Sequence, residues 1–268
     1  MTIIIYSLLF RTALYCSRQC QKLHWRSHKN VCSDSNSDDD ITKLTIKAKN
    51  HLEQGSYRKA QKLFLKVIEI MKAFGYHKNN PIFIERERNV AECMSKQALH
   101  DDAKELATVC LEKLKKTLGP NHATTISSMI DLGRIYGALG QCEEAEDILK
   151  DAVNRARSLN GAEYPDAMYN LALVYQKAGK LDAAAKLFKE SEKMKRVIHG
   201  DDHINAIEVS VNTALNLYNQ GRYSEAVELF SEALPKLKSH YGDNHQYVVN
   251  AEVRATHYHT IHLTYAYS

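Results

Sequence analysis

A short signature returns five times along this 268-residue chain at nearly equal steps. A small residue is followed five positions later by alanine at Gly55/Ala60, Ala98/Ala103, Gly140/Ala145, Gly179/Ala184 and Gly221/Ala226, with spacings of 43, 42, 39 and 42 residues. Periods of this length belong to architectures in which one supersecondary unit stacks on copies of itself. Five units therefore cover residues 42 to 250.

Each unit reads as a helix pair. In the third, Leu132, Gly133, Tyr136, Gly140, Ala145, Leu149 and Ala152 keep the spacing of two amphipathic helices, with small residues where their backbones approach and glycine at the turn. The fourth repeats this with Leu171, Ala172, Tyr175, Gly179, Ala184 and Phe188, and the fifth with Ala214, Leu217, Gly221, Ala226, Phe230 and Ala233. Between units, LGPNH (118–122), IHGDDH (198–203) and YGDNH (241–245) offer glycine to end one helix and Asp, Asn or Pro to start the next.

This pattern resembles the tetratricopeptide repeat, in the 42-residue form of kinesin light chains. The resemblance implies an all-α, right-handed superhelical solenoid of antiparallel helix pairs. Units one and two depart from it: His51 and Met94 stand where an aromatic is expected, and Ala98 replaces the turn glycine. Pro235, inside a second helix, predicts a kink.

A curved solenoid offers an extended concave face, so the expected partner is a peptide or protein segment. Asn89, Asn170 and Asn212 recur two residues before the small packing residue, with Asp131 in that place in unit three. The family resemblance points this position into the groove, where an amide can pair with a ligand backbone. Equally, these amides can bond neighbouring helices or water. Arg88, Arg134 and Lys177 suit an acidic ligand or terminal carboxylate, or simply form a solvated face.

A second motif precedes the repeats. YCSRQCQKLHWRSHKNVC (15–32) presents Cys16, Cys20, His28 and Cys32 as C-x3-C-x7-H-x3-C. It resembles the C-terminal half of the MYND zinc finger. That family uses eight ligands for two zinc ions, so the resemblance assigns Cys16 and Cys20 to one ion and His28 and Cys32 to the other, each site lacking two donors. Residues 1 to 15 contain no Cys or His. On one continuous helix Cys16 and Cys32 would stand about 24 Å apart, too far for one tetrahedral ion. A break near residues 23 to 26 would let the pairs meet, with His24 as an alternative to His28. A product truncated at both ends is the economical expectation. The resemblance also makes Ser17, Gln21 and Trp25 contacts for a proline-rich peptide, while Trp25 serves equally as the plug of a small core.

The segments are expected as 1–15 atypical, 16–32 partial finger, 33–41 acidic linker, 42–250 repeats and 251–268 unplaced tail. The linker expectation follows from SDSNSDDD (33–40), which has no apolar side chain. In the tail, His257, His259 and His262 lack the spacing of a metal site.

Composition narrows the function. Lys+Arg exceeds Asp+Glu by only 4, and the cations at the N-terminus sit beside a single Trp, so nucleic acid is not the expected partner. Ile3 to Phe10 is apolar but too short to cross a bilayer. The six irregularly spaced cysteines fit a reducing compartment, cytoplasm or nucleus. No phosphate loop, nucleophile elbow or paired His motif suggests an enzyme. The expectation is a non-catalytic adaptor with a finger remnant, zinc being its one implied cofactor and oligomeric state left open. The alternatives are a relative of MYND-containing lysine methyltransferases lacking the catalytic domain, or a basic nucleic-acid-associated factor.

Overall fold

The computed structural model describes residues 37–159, 162–245, 248–253 and 255–256. All regular structure among them is helical. Ten helices form five pairs: α1 (Ser37–Glu53) with α2 (Tyr57–Ala73), α3 (Pro81–Lys96) with α4 (His100–Thr117), α5 (Ala123–Leu139) with α6 (Cys142–Ala156), α7 (Glu163–Lys177) with α8 (Leu181–His199), and α9 (Ile204–Asn219) with α10 (Tyr223–Tyr241). Each helix packs on the next throughout the series, and the first helices α3, α5, α7 and α9 also touch in turn. The result is the right-handed solenoid of antiparallel pairs.

The repeat positions explain the packing. Phe64, Leu149, Phe188 and Phe230 occupy equivalent places on four second helices and are buried to within 2%. Each contributes about 1.5–3 kcal/mol through removal from water. The alanines of the signature, Ala60, Ala103, Ala145, Ala184 and Ala226, are fully buried, where a larger side chain would separate the two helices of a unit. In unit three the approach is closer still: a Cβ on Gly133 would lie 2.5 Å from Leu149 Cγ.

Local chemistry places the helix ends. Asn80 caps α3 by accepting the Ile82 N–H at 2.9 Å, with Pro81 in the first turn. The histidines ending two joints do the same through Nδ1: His122 accepts from Thr124 and His203 from Asn205, each at 3.2 Å. At the turn between α3 and α4, Ala98 takes the left-handed conformation that glycine occupies in the other units, with φ of 62°.

Two boundaries differ from the sequence expectation. Helix α1 begins at Ser37, inside the acidic stretch expected as linker up to residue 41. Asp39 and Asp40 fall in its first turn, where carboxylates oppose the positive end of the helix dipole. Helix α10 carries Pro235 in its interior and runs to Tyr241. Beyond residue 250, residues 251–253 continue a helical segment that starts at 248, and Val248 and Ala251 are buried against unit five. Among the described residues no helix is long and apolar enough to cross a membrane.

Candidate partner-binding cavity

The first helices of all five units line one concave cavity of about 740 Å³. A contact between the two ends of the solenoid narrows its open side. Gly55, at the turn of unit one, lies against His245, whose Nε2 is 3.4 Å from where a Gly55 Cβ would be. Tyr57 on one side of this seam and Tyr241 and His245 on the other line the cavity together. Tyr241 stacks on His245 at 4.4 Å between ring centroids and donates its hydroxyl to Glu208 at 2.8 Å. Burial, followed by Glu208, raises the pKa of Tyr241 above the ordinary phenol value. Burial likewise lowers that of His245, and Lys96 adds to the effect while Glu208 opposes it.

The charged wall is largely self-neutralised. Asp131 accepts from Arg88 at 2.9 Å through one oxygen and from Arg134 at 2.9 Å through the other, and Arg134 also reaches Glu92 at 3.5 Å. Burial opposes the charge of Arg134, but Glu92 and Asp131 outweigh it and raise its pKa. Lys195 pairs with Asp166 at 2.7 Å and lies 4.7 Å from the Tyr169 ring centroid. None of the ion pairs among the described residues includes Lys96, which also lines the cavity. Burial and then the charge of Arg134 lower its pKa from the ordinary lysine value.

The three candidate amides have different settings. Asn170 lines the cavity, its Nδ2 donating to the Asp166 carbonyl at 2.8 Å. Asn212 donates to the Tyr169 hydroxyl at 2.8 Å and to the Glu208 carbonyl at 2.9 Å. Asn89 is 8% exposed, with no partner for Nδ2, while its neighbour Arg88 lines the cavity. Of the three, Asn170 is among the cavity-lining residues, whereas Asn89 is buried and Asn212 is engaged by Tyr169 and the Glu208 carbonyl, although both share a helix face with residues that line the cavity. The three candidate cations are likewise engaged within the chain. Arg88 and Arg134 are held by carboxylates, and Lys177 donates to the Gly137 carbonyl at 2.6 Å and is not among the cavity-lining residues.

Residues that sequence reasoning missed follow a simple rule. Glu92 and Lys96 lie three and seven positions beyond Asn89, and Asn205 and Glu208 lie seven and four before Asn212. Helical periodicity from the chosen asparagines would have found them. The seam residues Tyr57 and His245 carry no such signal, since they meet only through the curvature of the whole solenoid.

Burial and then a neighbouring acid, Glu92 for Cys93 and Glu87 for Cys110, push these two buried thiols up to about 12, which keeps them protonated. No group of three or more His, Cys, Asp or Glu side chains among the described residues is arranged to hold a metal. Cys16, Ser17, Cys20, Gln21, His24, Trp25, His28, Cys32 and the tail histidines lie outside the described residues.

Comparison with known proteins agrees with this architecture. Residues 85–158 and 163–239 match the tetratricopeptide repeat, and a second form of that repeat matches residues 130–195. Residues 9–32 match the MYND finger. Among the curated proteins none matches closely enough to count as a relative. Among solved structures, a kinesin light chain protein of nearly identical tetratricopeptide-like repeats from Podosopora anserina is 20% identical, covering 77% of this chain and 98% of its own, with TM-score 0.55. The Rap conjugation gene regulator of plasmid pLS20, in complex with the Phr* peptide, is 17% identical over 80% of this chain and 57% of its own, with TM-score 0.70. NprR in complex with its cognate peptide NprX is 18% identical over 91% of this chain and 69% of its own, with TM-score 0.64. At these identities the likeness is one of fold.

Proposed function

We propose that this chain, which belongs to the tetratricopeptide repeat family, is a non-catalytic adaptor that holds a peptide segment of a partner protein in its concave cavity. The observation that carries this reading is the cavity itself: about 740 Å³, walled by the first helices of all five units. That volume lies in the range that encloses a compact ligand, and its walls are rigid elements. Leu52, Ile130 and Leu173 give it apolar footing, while Asn170, Asn205 and Asn250 give it amides. Two neighbours of similar fold, the Rap regulator and NprR, are described as peptide complexes, which supports the same use here. Cytoplasm or nucleus is the proposed setting, in keeping with Cys93, Cys110 and Cys142 forming no disulfide.

The test compares two faces. A partner captured by the intact chain should bind about 5- to 150-fold more weakly when Asn170 and Asn205 are both changed to alanine, at roughly 0.5–1.5 kcal/mol for each lost hydrogen bond. Changing the exposed Lys186 and Lys189 on α8 should leave binding unchanged. The opposite pattern would move recognition to the outer face or to the finger segment.

The MYND match adds zinc to the proposal. Cys16, Cys20, His28 and Cys32 are the donors a zinc ion takes, and they are four where the family arrangement uses eight. Their chemistry fits the ion while their number half-fills two sites. Elemental analysis of this chain after dialysis should therefore find well below one zinc per chain. A stoichiometric ion lost on changing Cys16 and Cys32 to serine would instead establish a single four-ligand site.

A further inference from the structure

Beside the seam lies a second cavity of about 380 Å³, lined by Ser56, Tyr57, Arg58, Lys59, Lys96 and Gln97. Tyr57 and Lys96 belong to both walls. Three cations thus converge on one corner. Among the described residues none of the three forms an ion pair, whereas Arg88, Arg134 and Lys195 of the adjoining wall are each countered by a carboxylate. The hydroxyl of Ser56 makes no capping bond. The Gln97 side chain is fixed in place by donating to Gln61 at 2.7 Å.

The charges here reverse those of the other units. Where unit one has Arg58, units two, three and four have Asp101, Glu143 and Asp182; where it has Lys59, units two, three and five have Asp102, Glu144 and Glu225. Uncompensated like charges around one pocket repel and cost stability, and an anion removes that cost. A carboxylate brings one negative charge. A phosphate monoester brings nearly two, with three acceptor oxygens, which suits three cations and a hydroxyl.

We propose that this corner binds the phosphate of a phosphorylated serine or threonine in the partner segment. The inference rests on the adaptor reading above, since the corner shares Tyr57 and Lys96 with the cavity that would hold the rest of that segment.

The experiment uses the full chain and two kinds of probe at constant ionic strength. The first is inorganic phosphate, with chloride as reference, followed by thermal shift. The second is a random octapeptide pool with a fixed central phosphoserine, compared with the same pool carrying serine or glutamate. Phosphate should raise the melting temperature saturably, and the phosphoserine pool should be retained at least about 10-fold better than either other pool, near 1.4 kcal/mol. Arg58→Gln with Lys59→Gln should abolish both effects at unchanged helicity, whereas Lys186→Gln with Lys189→Gln should abolish neither. Equal response in the Arg58/Lys59 variant, or phosphate acting no better than chloride, overturns the site. Phosphate binding without preference for the phosphoserine pool overturns the phosphopeptide assignment. Asn170→Ala with Asn205→Ala separates the two readings, since it should weaken peptide retention and leave inorganic phosphate binding intact.

Discussion

Units two and three reach the same helix pair from unequal sequences. Unit three carries the full signature, with Gly140 in the left-handed turn at φ 78° and Gly133 where its helices cross. Unit two puts Ala98 in that turn at φ 62° and Ala91 at the crossing. The volumes compensate. Unit three sets Gly133 against Leu149, while the equivalent places in unit two hold Ala91 and Ala107, both in the same buried cluster. Conformation at a repeat position is thus imposed by stacking on both neighbours, and the local residue only sets what that conformation costs.

The sharpest way to break this comparison is to exchange glycine and alanine at the crossing. Gly133→Ala should lower stability by about 1–3 kcal/mol in denaturant titration, because Leu149 blocks the new methyl, even though alanine favours helix. Ala91→Gly, in the same register, should cost about 1–2 kcal/mol, through helix propensity and the loss of one buried methyl. A gain from Gly133→Ala would show that the two crossings do not differ in volume.

Helix entry gives the next effect. Asn80 caps α3 and His122 caps α5. Asn80→Ala should cost about 0.5–2 kcal/mol, and Asn80→Asp should retain most of that, measured by the same titration.

At the turn the sign reverses. Ala98→Gly should stabilise the chain by about 0.5–1 kcal/mol, since Ala98 is the one described non-glycine residue with positive φ. A loss of stability there would mean that the Ala98 methyl packs favourably enough to offset the strained backbone.

The smallest effect is pH dependence at the histidine joints. Burial lowers the His203 pKa below its ordinary 6.5, and the charges of His199 and His240 add to this. Folding therefore favours the neutral ring, whose Nδ1 is the cap acceptor. The stability this gives is present above about pH 6.5 and is lost as pH falls from there through the lowered folded value. His203→Asn, which caps without titrating, should make the fall in melting temperature between pH 7 and 5 shallower. An unchanged profile would assign the acid sensitivity to other groups, such as His245.

Much of the fold was legible because a repeat states the same constraint several times. Ala60, Ala145, Ala184 and Ala226 mark the close approaches, and all are buried. The start of α1 was misread because residues 33–40 have no apolar pattern, while the role of Asp39 and Asp40 at a helix dipole depends on the helix that follows. The cavity was half legible. Asn170 was found by register, but the same register hid Asn89 and gave Asn212 to Tyr169.

The sequence by itself determined the number of units, their helical pairing and the residues where helices meet, since these depend on spacing within about 42 residues. Only the tertiary structure decided which wall charges are spent on each other, that Lys96 is left without a partner, and that Gly55 meets His245. The physical reason is range. Burial and pairing inside a unit are repeated local events, whereas the cavity and its seam come from small rotations between units, accumulated across 190 residues of chain between Gly55 and His245.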